Sequence, residues 1–438
     1  MKAPICDFVK NYADGGTLRL HMPGHKGRGD VEALDITEIN GADSLYCADG
    51  IIAQSEANAS ALFGCPTFYS TEGSSQCIRA MLYLAVCAGD SRRIIAGRNA
   101  HRAFVSAAAL LDLEVEWLCA GESYLSCLPN GDDVERAILA TPEKPAAVYL
   151  TSPDYLGNIA DIRSAAEVCR KYGVLLLVDN AHGAYLRFLS ESRHPIDLGA
   201  DLCCDSAHKT LPVLTGGAYL HISPERSELF AGRAKDALLL FGSTSPSYLI
   251  LQSLDRANLC LHDGYAERLA AFIPKADAIK RRLCEYGFEL VGSEPLKLTV
   301  APKSFGYTGG ELADLLRSRG IECEFADPDF TVAMLSADMT GGELSLLEEA
   351  LVSLPKRTSV TSRPPEFAAV RQVTTIREAI FAPSEQRPVT QCEGRILASL
   401  GVSCPPAVPI VLPGERISAT AIDCLAYYGI AACRVVCE

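Results

Sequence analysis

Residues 174–186 read VLLLVDNAHGAYL and residues 202–210 read LCCDSAHKT, and these two segments decide the fold. Each begins with an apolar run of strand length, and the runs end at Asp179 and Asp205. Strands that are apolar on both faces are typical of a parallel sheet covered by helices on both sides. The two segments therefore predict an α/β fold in which polar side chains follow the ends of buried strands.

Strand-like and helical patterns alternate from residue 55 to about residue 220, which predicts a mostly parallel sheet. The predicted helices cover residues 55–63, 74–88, 100–111, 132–140 and 161–172. The predicted strands cover residues 92–96, 115–119, 146–151, 174–179, 200–205 and 217–221.

The rest of the chain predicts smaller units. A long helical stretch is expected over residues 247–286, and the first 50 residues are expected to be irregular. A mixture of short patterns follows, with strands at 288–291, 296–301, 321–325 and 331–336 and helices at 310–319 and 342–354. Residues 358–365 have linker composition. We predict an N-terminal arm (1–48), a large domain (49–265), a small α+β domain (266–357) and a C-terminal extension (358–438).

The composition excludes several classes of protein. Of 438 residues, 48% are hydrophobic and 21% charged, as in ordinary globular proteins, and the net charge of −14 disfavours a nucleic-acid partner. No apolar run approaches the roughly 20 residues of a membrane helix, and the N-terminus lacks a signal-peptide core. The 18 cysteines include no CxxC pair, so we expect reduced core cysteines, a cytoplasmic protein and no metal site.

Lys209 directly follows the second apolar strand. A lysine at such a position can form a Schiff base with pyridoxal phosphate. Ser206 and His208 flank it and could hold phosphate oxygens by hydrogen bonds. The alternative is a lysine that emerges to solvent in a loop, and this segment alone favours that alternative slightly.

Asp179 ends the first strand thirty residues before Lys209, and His182 follows three positions later. A carboxylate there could pair with a protonated pyridine nitrogen, so that the ring acts as an electron sink. A carboxylate that caps a loop or helix is the common alternative. The combination of this aspartate with the lysine segment is more specific than either piece.

Two weaker signals lie earlier in the chain. The segment 71–75, TEGSS, precedes a helical pattern, where exposed backbone N–H groups could bind an anion, although N-capping explains it equally well. His101 begins the next helical pattern, where it could stack on a flat cofactor or lie on the surface. No GxGxxG follows a predicted strand and there is no GxxxxGK[ST], so nucleotide-binding loops are disfavoured.

The chain resembles the fold-type-I ornithine/lysine/arginine decarboxylases that use pyridoxal phosphate, in their short form. The resemblance extends over nearly the whole chain, and the PGHK and SxHKT elements together are distinctive of this group. The matching segments are HMPGHKG (21–27), DGIIAQSEANASALFG (49–64), STEGSSQ (70–76), RNAHRAF (98–104), TSPDYLG (151–157), VDNAHGAYL (178–186), DSAHKTLPVLTGGAYLH (205–221), STSPSYLILQSLD (243–255), REAIFAPSE (377–385) and PPAVPIVLPGERI (405–417).

The resemblance implies an aspartate-aminotransferase-like fold with a sheet of the seven-stranded type, and a role for each matching residue. Lys209 would bind the cofactor covalently, Asp179 would face the pyridine nitrogen, His101 would stack on the ring, and His182 would lie near the phenolic oxygen. The phosphate would be held by Gly73, Ser74, Ser75, Ser206 and His208. Thr244 and Ser245 would reach the phosphate of a neighbouring subunit, and the PGHK arm would pack near the partner's site. Glu415 could face the substrate.

Four positions depart from the family pattern. Family members usually have Asn at the position of Glu72, Glu at that of Asn180, Thr or a similar residue at that of Asp154, and an acid at that of Ser44. We expect these positions near the cofactor or the substrate entrance. They leave the cofactor prediction intact and put the substrate, and with it the reaction, in question.

The resemblance implies decarboxylation of a basic amino acid, with arginine ahead of lysine and ornithine, by a homodimer or larger homo-oligomer that serves polyamine biosynthesis. Asp49, Glu72, Asp154 and Glu415 are the acids of the matching motifs that could recognise a distal cation. Transamination, aldol cleavage and β-elimination use the same lysine and aspartate, so the fold does not discriminate among them. A non-catalytic relative is the other alternative, and the presence of both Lys209 and Asp179 argues against it.

Overall fold

The computed structural model describes residues 1–118, 125–366, 370–401 and 408–437. They form two compact units. The first unit comprises Met1–Arg92, Ile138–Ser152 and Ile162–Glu267, and the second comprises Arg93–Ala137, Pro153–Asp161 and Arg268–Glu438. The predicted domain boundaries after residues 48, 265 and 357 stay predictions.

Helices and strands alternate through the first half of the chain. The helices are α1 (Pro4–Asp14), α2 (Ile51–Phe63), α3 (Ser74–Cys87), α4 (Arg102–Leu111), α5 (Gly131–Ala140), α6 (Ile162–Tyr172), α7 (Ala207–Thr210), α8 (Ser227–Phe230), α9 (Ala234–Leu239), α10 (Tyr248–His262), α11 (Tyr265–Tyr286), α12 (Gly309–Arg317), α13 (Gly341–Val352), α14 (Ile376–Phe381) and α15 (Ala419–Tyr427). The strands are β1 (Thr67–Ser70), β2 (Arg93–Gly97), β3 (Glu114–Leu118), β4 (Ala147–Thr151), β5 (Leu175–Asp179), β6 (Leu202–Asp205), β7 (Ala218–Ile222), β8 (Glu289–Val291), β9 (Lys297–Ala301), β10 (Phe325–Ala326), β11 (Thr331–Met334), β12 (Ser384–Pro388) and β13 (Ala432–Val436).

The first unit contains a five-stranded sheet in the order β1-β7-β6-β5-β4. Strands β4, β5 and β6 are parallel, whereas β7 is antiparallel to both β6 and β1. Asp179 at the end of β5 lies opposite Cys204 in β6, one residue before Asp205. Because parallel strands end at the same edge of a sheet, the segments that follow β5 and β6 emerge side by side.

The strand β1 was missed by the sequence analysis. It is only four residues long, TFYS, and its pairing partner β7 lies about 150 residues later in the chain, with Thr67 opposite His221 and Ser70 opposite Ala218. A strand that short has no periodicity to detect, so only the long-range pairing defines it.

The expectation of an irregular N-terminus is wrong for residues 4–14, which form α1. The helix buries Ile5 and Val9 and packs against α2 and α10. Its first turn is anchored by Asp255, whose Oδ2 accepts hydrogen bonds from the backbone N–H groups of Ile5 and Cys6 at 2.9 and 3.0 Å. Only about one residue per turn of α1 is buried, which is a weak amphipathic pattern. The helix therefore depends on the contact with Asp255.

The predicted long helix over residues 247–286 is two helices, α10 and α11. They are separated by Asp263 and Gly264, and Gly264 has a φ of 73°, a left-handed conformation that ends α10. Ser247 caps α10 at its N-terminus by accepting from the N–H of Ile250.

The second unit contains the parallel pair β2-β3, an antiparallel sheet in the order β10-β11-β9-β8 and the antiparallel pair β12-β13. Capping boxes at Thr308 and Thr340 begin α12 and α13. The strand expected at 321–325 is wrong, because only Phe325 and Ala326 pair there.

The strands predicted between residues 92 and 221 all occur, with ends displaced by one or two residues. With β1 they make seven strands, five in the first unit and two in the second, and five of the seven are parallel to a neighbour in their own unit. The α/β class is thus confirmed. Within the described ranges, no helix combines the length and the apolar character needed to cross a bilayer.

Candidate active site

Lys209 lies in the one-turn helix α7, directly after β6. Its backbone N–H donates to the carbonyl of Ser206 at 3.0 Å, and its side chain is half-buried. The Nζ atom lies 3.0 Å from Nε2 of His182, in the turn that follows β5. The structure therefore brings together two of the predicted catalytic residues, which are 27 positions apart in the chain.

Asp179 ends β5 with its side chain only 2% exposed. Its Oδ2 accepts from the hydroxyl of Tyr149 at 3.1 Å, and its Oδ1 accepts from the N–H of Ala181 at 3.1 Å. Burial and the negative charge of Asp179 both raise the pKa of Tyr149 well above its ordinary value, so this hydroxyl stays a donor. A carboxylate has about four acceptor positions, so Asp179 retains capacity for a further N–H donor.

Gly73 begins the long helix α3 in a conformation that suits glycine, with φ 73° and ψ 176°. Its N–H donates to the carbonyl of Gly216 at 2.7 Å, which fixes this turn against the segment after Lys209. No side chain caps α3 at Gly73. The first turn therefore presents backbone N–H groups in the arrangement that binds phosphate at helix N-termini.

The predicted phosphate-binding serines meet at this helix start. Oγ of Ser206 donates to Oγ of Ser74 at 2.7 Å, and both side chains are buried. Ser75 follows in the same turn of α3 and is half-buried. The two hydroxyls join the Lys209 segment to the helix start, and the cluster provides both backbone and side-chain donors.

His208 and Glu72 have defined contacts beside this cluster. Nδ1 of His208 lies 3.1 Å from the carbonyl of Gly217, so its phosphate contact stays a prediction. The carboxylate of Glu72 accepts from the N–H of Ser243. This contact directs the charge of Glu72 to the 243–245 segment and away from the helix start.

Thr244 and Ser245 are exposed, between α9 and α10. The N–H of Ser245 donates to Oγ of Ser243 at 3.1 Å. Their contact with a neighbouring subunit stays a prediction.

His101 belongs to the second unit, where it is the N-cap of α4. Its Nδ1 accepts from the N–H of Ala103 at 3.2 Å, and the residue is exposed. An accepting Nδ1 carries no proton, so a neutral ring carries its proton on Nε2. The predicted stacking of this ring on the cofactor stays a prediction.

Two of the acids proposed to recognise a substrate cation are engaged elsewhere. Both oxygens of Glu415 accept from the guanidinium of Arg98, at 2.7 and 2.8 Å, and this side chain is 2% exposed. The suggestion that Glu415 faces the substrate is therefore wrong. Asp154 is also buried and accepts from Asn158 and the N–H of Leu156, so it stabilises its own turn.

The sequence analysis missed three groups that contact the residues singled out from the sequence. They are Tyr149, the ion pair of Arg98 with Glu415, and a buried cluster around Asp205. A tyrosine within the buried strand β4, two residues before its end, was the one available signal for Tyr149. The other two depend on residues far apart in the chain.

Residues 3–285 match the family model described as the Orn/Lys/Arg decarboxylase major domain, which is well over half of the chain. The chain belongs to the Orn/Lys/Arg decarboxylase family. A second model, the C-terminal domain of the same family, matches residues 358–433 of this decarboxylase. The resemblance found in the sequence motifs is thereby confirmed, and with it the pyridoxal phosphate cofactor and the class of amino-acid decarboxylases.

Relatives of this decarboxylase match along almost its full length. An arginine decarboxylase from Bacillus subtilis (strain 168) is 29% identical, with 95% of this chain and 91% of the relative covered. An arginine decarboxylase from Halalkalibacterium halodurans is 28% identical over the same shares. Among solved structures, a lysine decarboxylase from Francisella novicida matches with a TM-score of 0.80 and 16% identity, covering 99% of this chain and 81% of that one. That last match confirms the fold.

The residues present fit the cofactor of the family. Asp179 has acceptor capacity for a protonated ring nitrogen, the start of α3 has uncapped N–H groups for a phosphate, and Lys209 supplies an amine 3.0 Å from Nε2 of His182. All three features lie in the first unit.

Proposed function

We propose that this decarboxylase acts on arginine in preference to lysine and ornithine, and releases carbon dioxide and the corresponding amine. The support for arginine is the pair of relatives named arginine decarboxylase, which match 95% of the chain. The observation that carries the chemistry is the 3.0 Å approach of Lys209 Nζ to His182 Nε2, beside the buried carboxylate that ends β5.

Each residue of the cluster has a distinct task in this proposal. Lys209 would hold the cofactor through its amine. Asp179 stabilises a proton on the ring nitrogen. His182 stabilises the proton on Nζ of Lys209 or accepts it. Bound pyridoxal phosphate supplies an electron sink for the pair left when carbon dioxide departs.

The phosphate is held at the start of α3 in this proposal. The N–H groups after Gly73 and the hydroxyls of Ser74, Ser75 and Ser206 are the donors. A helix of 14 residues adds the favourable electrostatics of its N-terminus for an anion. The family resemblance supports two more contacts in this proposal. His208, in the Lys209 segment, contacts the phosphate, and His101 stacks on the ring.

A panel of amino acids tests the reaction and the substrate together. The purified protein, loaded with pyridoxal phosphate, is incubated with arginine, lysine, ornithine and a neutral amino acid, without any keto acid. We expect carbon dioxide from arginine at the highest kcat/KM. Release only in the presence of a keto acid, or none from any basic amino acid, would contradict the proposal.

Glu72 and Asp49 are the remaining candidates for recognising the distal cation of the substrate, because both are exposed in the matching motifs. We expect that Glu72→Gln or Asp49→Asn raises the KM for arginine by about tenfold or more, equivalent to about 1.4 kcal/mol. The KM for a neutral substrate analogue is expected to change little, because it presents no distal charge. Steady-state kinetics with both substrates measures the difference.

Asp90→Asn is a matched control, since Asp90 is an exposed acid outside the family motifs. It is expected to keep wild-type kinetics. If Glu72→Gln and Asp49→Asn also kept the wild-type KM for arginine, recognition by these acids would be refuted.

We further propose a homodimer in which Thr244 and Ser245 of each subunit contact the cofactor phosphate bound to the other. The support is the family resemblance together with the exposure of this segment. The contact of Glu72 with Ser243 holds the segment in place within its own subunit. Polyamine biosynthesis as the pathway and the cytoplasm as the location stay predictions.

Complementation tests the shared site. Lys209→Ala and the double variant Thr244→Ala/Ser245→Ala are each expected to be nearly inactive. After mixing and refolding, activity should return to about a quarter of wild type, since half of the dimers are mixed and each contains one intact site. A chain that carries all three changes is the control and should recover nothing. A fully active monomer in sedimentation would rule out the dimer.

A further inference from the structure

A buried cluster lies directly behind the segments that carry Asp179 and Lys209. Its members are Asp205, Asn180, His194 and His221, each 0% exposed. Oδ2 of Asp205 lies 3.1 Å from Nε2 of both histidines, and its Oδ1 accepts from Nδ2 of Asn180 at 2.7 Å. One carboxylate therefore collects donors from three other parts of the chain.

Asp205 is charged in this cluster. Burial opposes the charge, yet the contacts of His194 and His221 outweigh it and hold the pKa of Asp205 well below its usual range. Burial lowers the pKa of His221, which is therefore neutral near pH 7 and donates from Nε2. Its other nitrogen, Nδ1, lies 3.0 Å from Oγ1 of Thr67 on the far side of the cluster.

Two histidines and an aspartate are also residue types that bind metal ions. Here the separations of 3.1 Å are ordinary N–H···O distances, and Asp205 also accepts from an amide of Asn180. The contacts account for the cluster as a hydrogen-bonded network around a buried carboxylate.

Asn180 connects this network to the candidate active site. It lies between Asp179 and His182, and its backbone is fixed by its N–H to the carbonyl of Cys204 (2.9 Å) and by Gly183, whose N–H donates to its carbonyl (2.7 Å). A Cβ on Gly183 would lie 1.9 Å from Oδ1 of Asn180, so the turn requires glycine to leave room for this side chain.

We propose that Asp205, acting through Asn180, is a positioning residue that holds His182 against Nζ of Lys209. The carboxylate fixes the Asn180 side chain, and Asn180 fixes the turn that carries His182. The network joins the two turns that contain the predicted cofactor residues. The inference rests on the proposed function only in that Lys209 binds the cofactor.

The test uses the visible absorbance of the bound cofactor as a function of pH. An acceptor at Nε2 of His182 favours the protonated form at Nζ. Asn180→Ala should loosen this contact and lower the pH midpoint of the absorbance change by roughly half a unit or more. Asp205→Asn, which keeps the size of the side chain and removes the charge, should shift it in the same direction.

A double variant shows whether the effect passes through His182. His182→Ala alone should lower the midpoint, and adding Asn180→Ala should then lower it no further, because residues that act on one contact are not additive. Thr67→Val is the matched control, since it removes the partner of His221 on the far side and leaves Asn180 in place. It should keep the wild-type midpoint.

Three outcomes would overturn the inference: a wild-type midpoint in folded Asn180→Ala and Asp205→Asn, a full further shift in the double variant, or an equal shift in Thr67→Val. Thermal unfolding verifies that each variant is folded. If Asn180→Ala does not fold, the absorbance midpoint of Asp205→Asn is used for the test instead. A protein that binds no cofactor in the wild type would refute the proposed function instead, so the two failures are distinct.

Discussion

Lys209→Ala is expected to abolish the covalent attachment of pyridoxal phosphate and to reduce decarboxylation by more than about a thousandfold. The amine of Lys209 is the one brought within 3.0 Å of His182, at the edge where β5 and β6 end. Alanine removes that amine, whereas the helix start of α3 and the carboxylate of Asp179 are unchanged. Non-covalent binding of the cofactor should therefore persist with reduced affinity.

The measurement combines spectroscopy and mass spectrometry. The wild type, loaded with cofactor and reduced with borohydride, should yield a peptide labelled at Lys209, and the variant should yield none. Lys10→Ala removes an exposed lysine of α1 and should leave the label on Lys209 intact. A label on any other lysine of the wild type would end the assignment of Lys209.

Removing the carboxylate of Glu415 is expected to destabilise the second unit by about 3–5 kcal/mol. Its partner Arg98 is 4% exposed, and the pair is bidentate, with N···O distances of 2.7 and 2.8 Å. Glu415 also accepts from the N–H of Leu412 at 2.7 Å, so Glu415→Ala leaves a buried guanidinium facing a poorer set of acceptors. The cost comes from the buried charge more than from the lost attraction.

Urea unfolding followed by tryptophan fluorescence measures this effect. The chain has one tryptophan, Trp117 in β3, and it lies in the same unit as Arg98 and Glu415. The double variant Arg98→Met/Glu415→Leu should be more stable than Glu415→Ala, because it leaves no buried charge.

An exposed ion pair in the same unit provides the matched control. Arg317 and Glu322 are both largely exposed, and Glu322→Gln should change the unfolding of the unit little. If Glu415→Ala unfolded at the same urea concentration as wild type, the buried pair would have no structural importance.

The sequence predicted the parts of the site that depend on local pattern. Asp179 and Lys209 follow uninterrupted apolar strands, so their position at the end of buried strands could be deduced from the neighbouring residues alone. The glycine before α3 was found from the small residues that directly precede a helical pattern, where backbone N–H groups are exposed.

The parts that could not be predicted depend on contacts between distant segments. Arg98 and Glu415 are 317 positions apart, and either charge alone is typical of a solvated surface. The charge state of Asp205 depends on His194, which precedes β6, and on His221, which the pairing of β7 with β6 brings beside it. Likewise α1 is defined by its anchor at Asp255, about 250 residues away.

The pairing of β1 with β7 sets an order of events during synthesis of the chain. Strand β1 leads directly into Gly73, yet its only partner in the sheet ends at Ile222, and Gly73 itself bonds to Gly216. At about 5–20 residues per second, the ribosome needs roughly eight to thirty seconds to add the intervening segment. During that time β1 has no partner strand, and the start of α3 lacks the contact of Gly73 with Gly216. The anion-binding start of α3 therefore acquires its full support only after the first 222 residues have been translated, and until then the unpaired strand is open to aggregation.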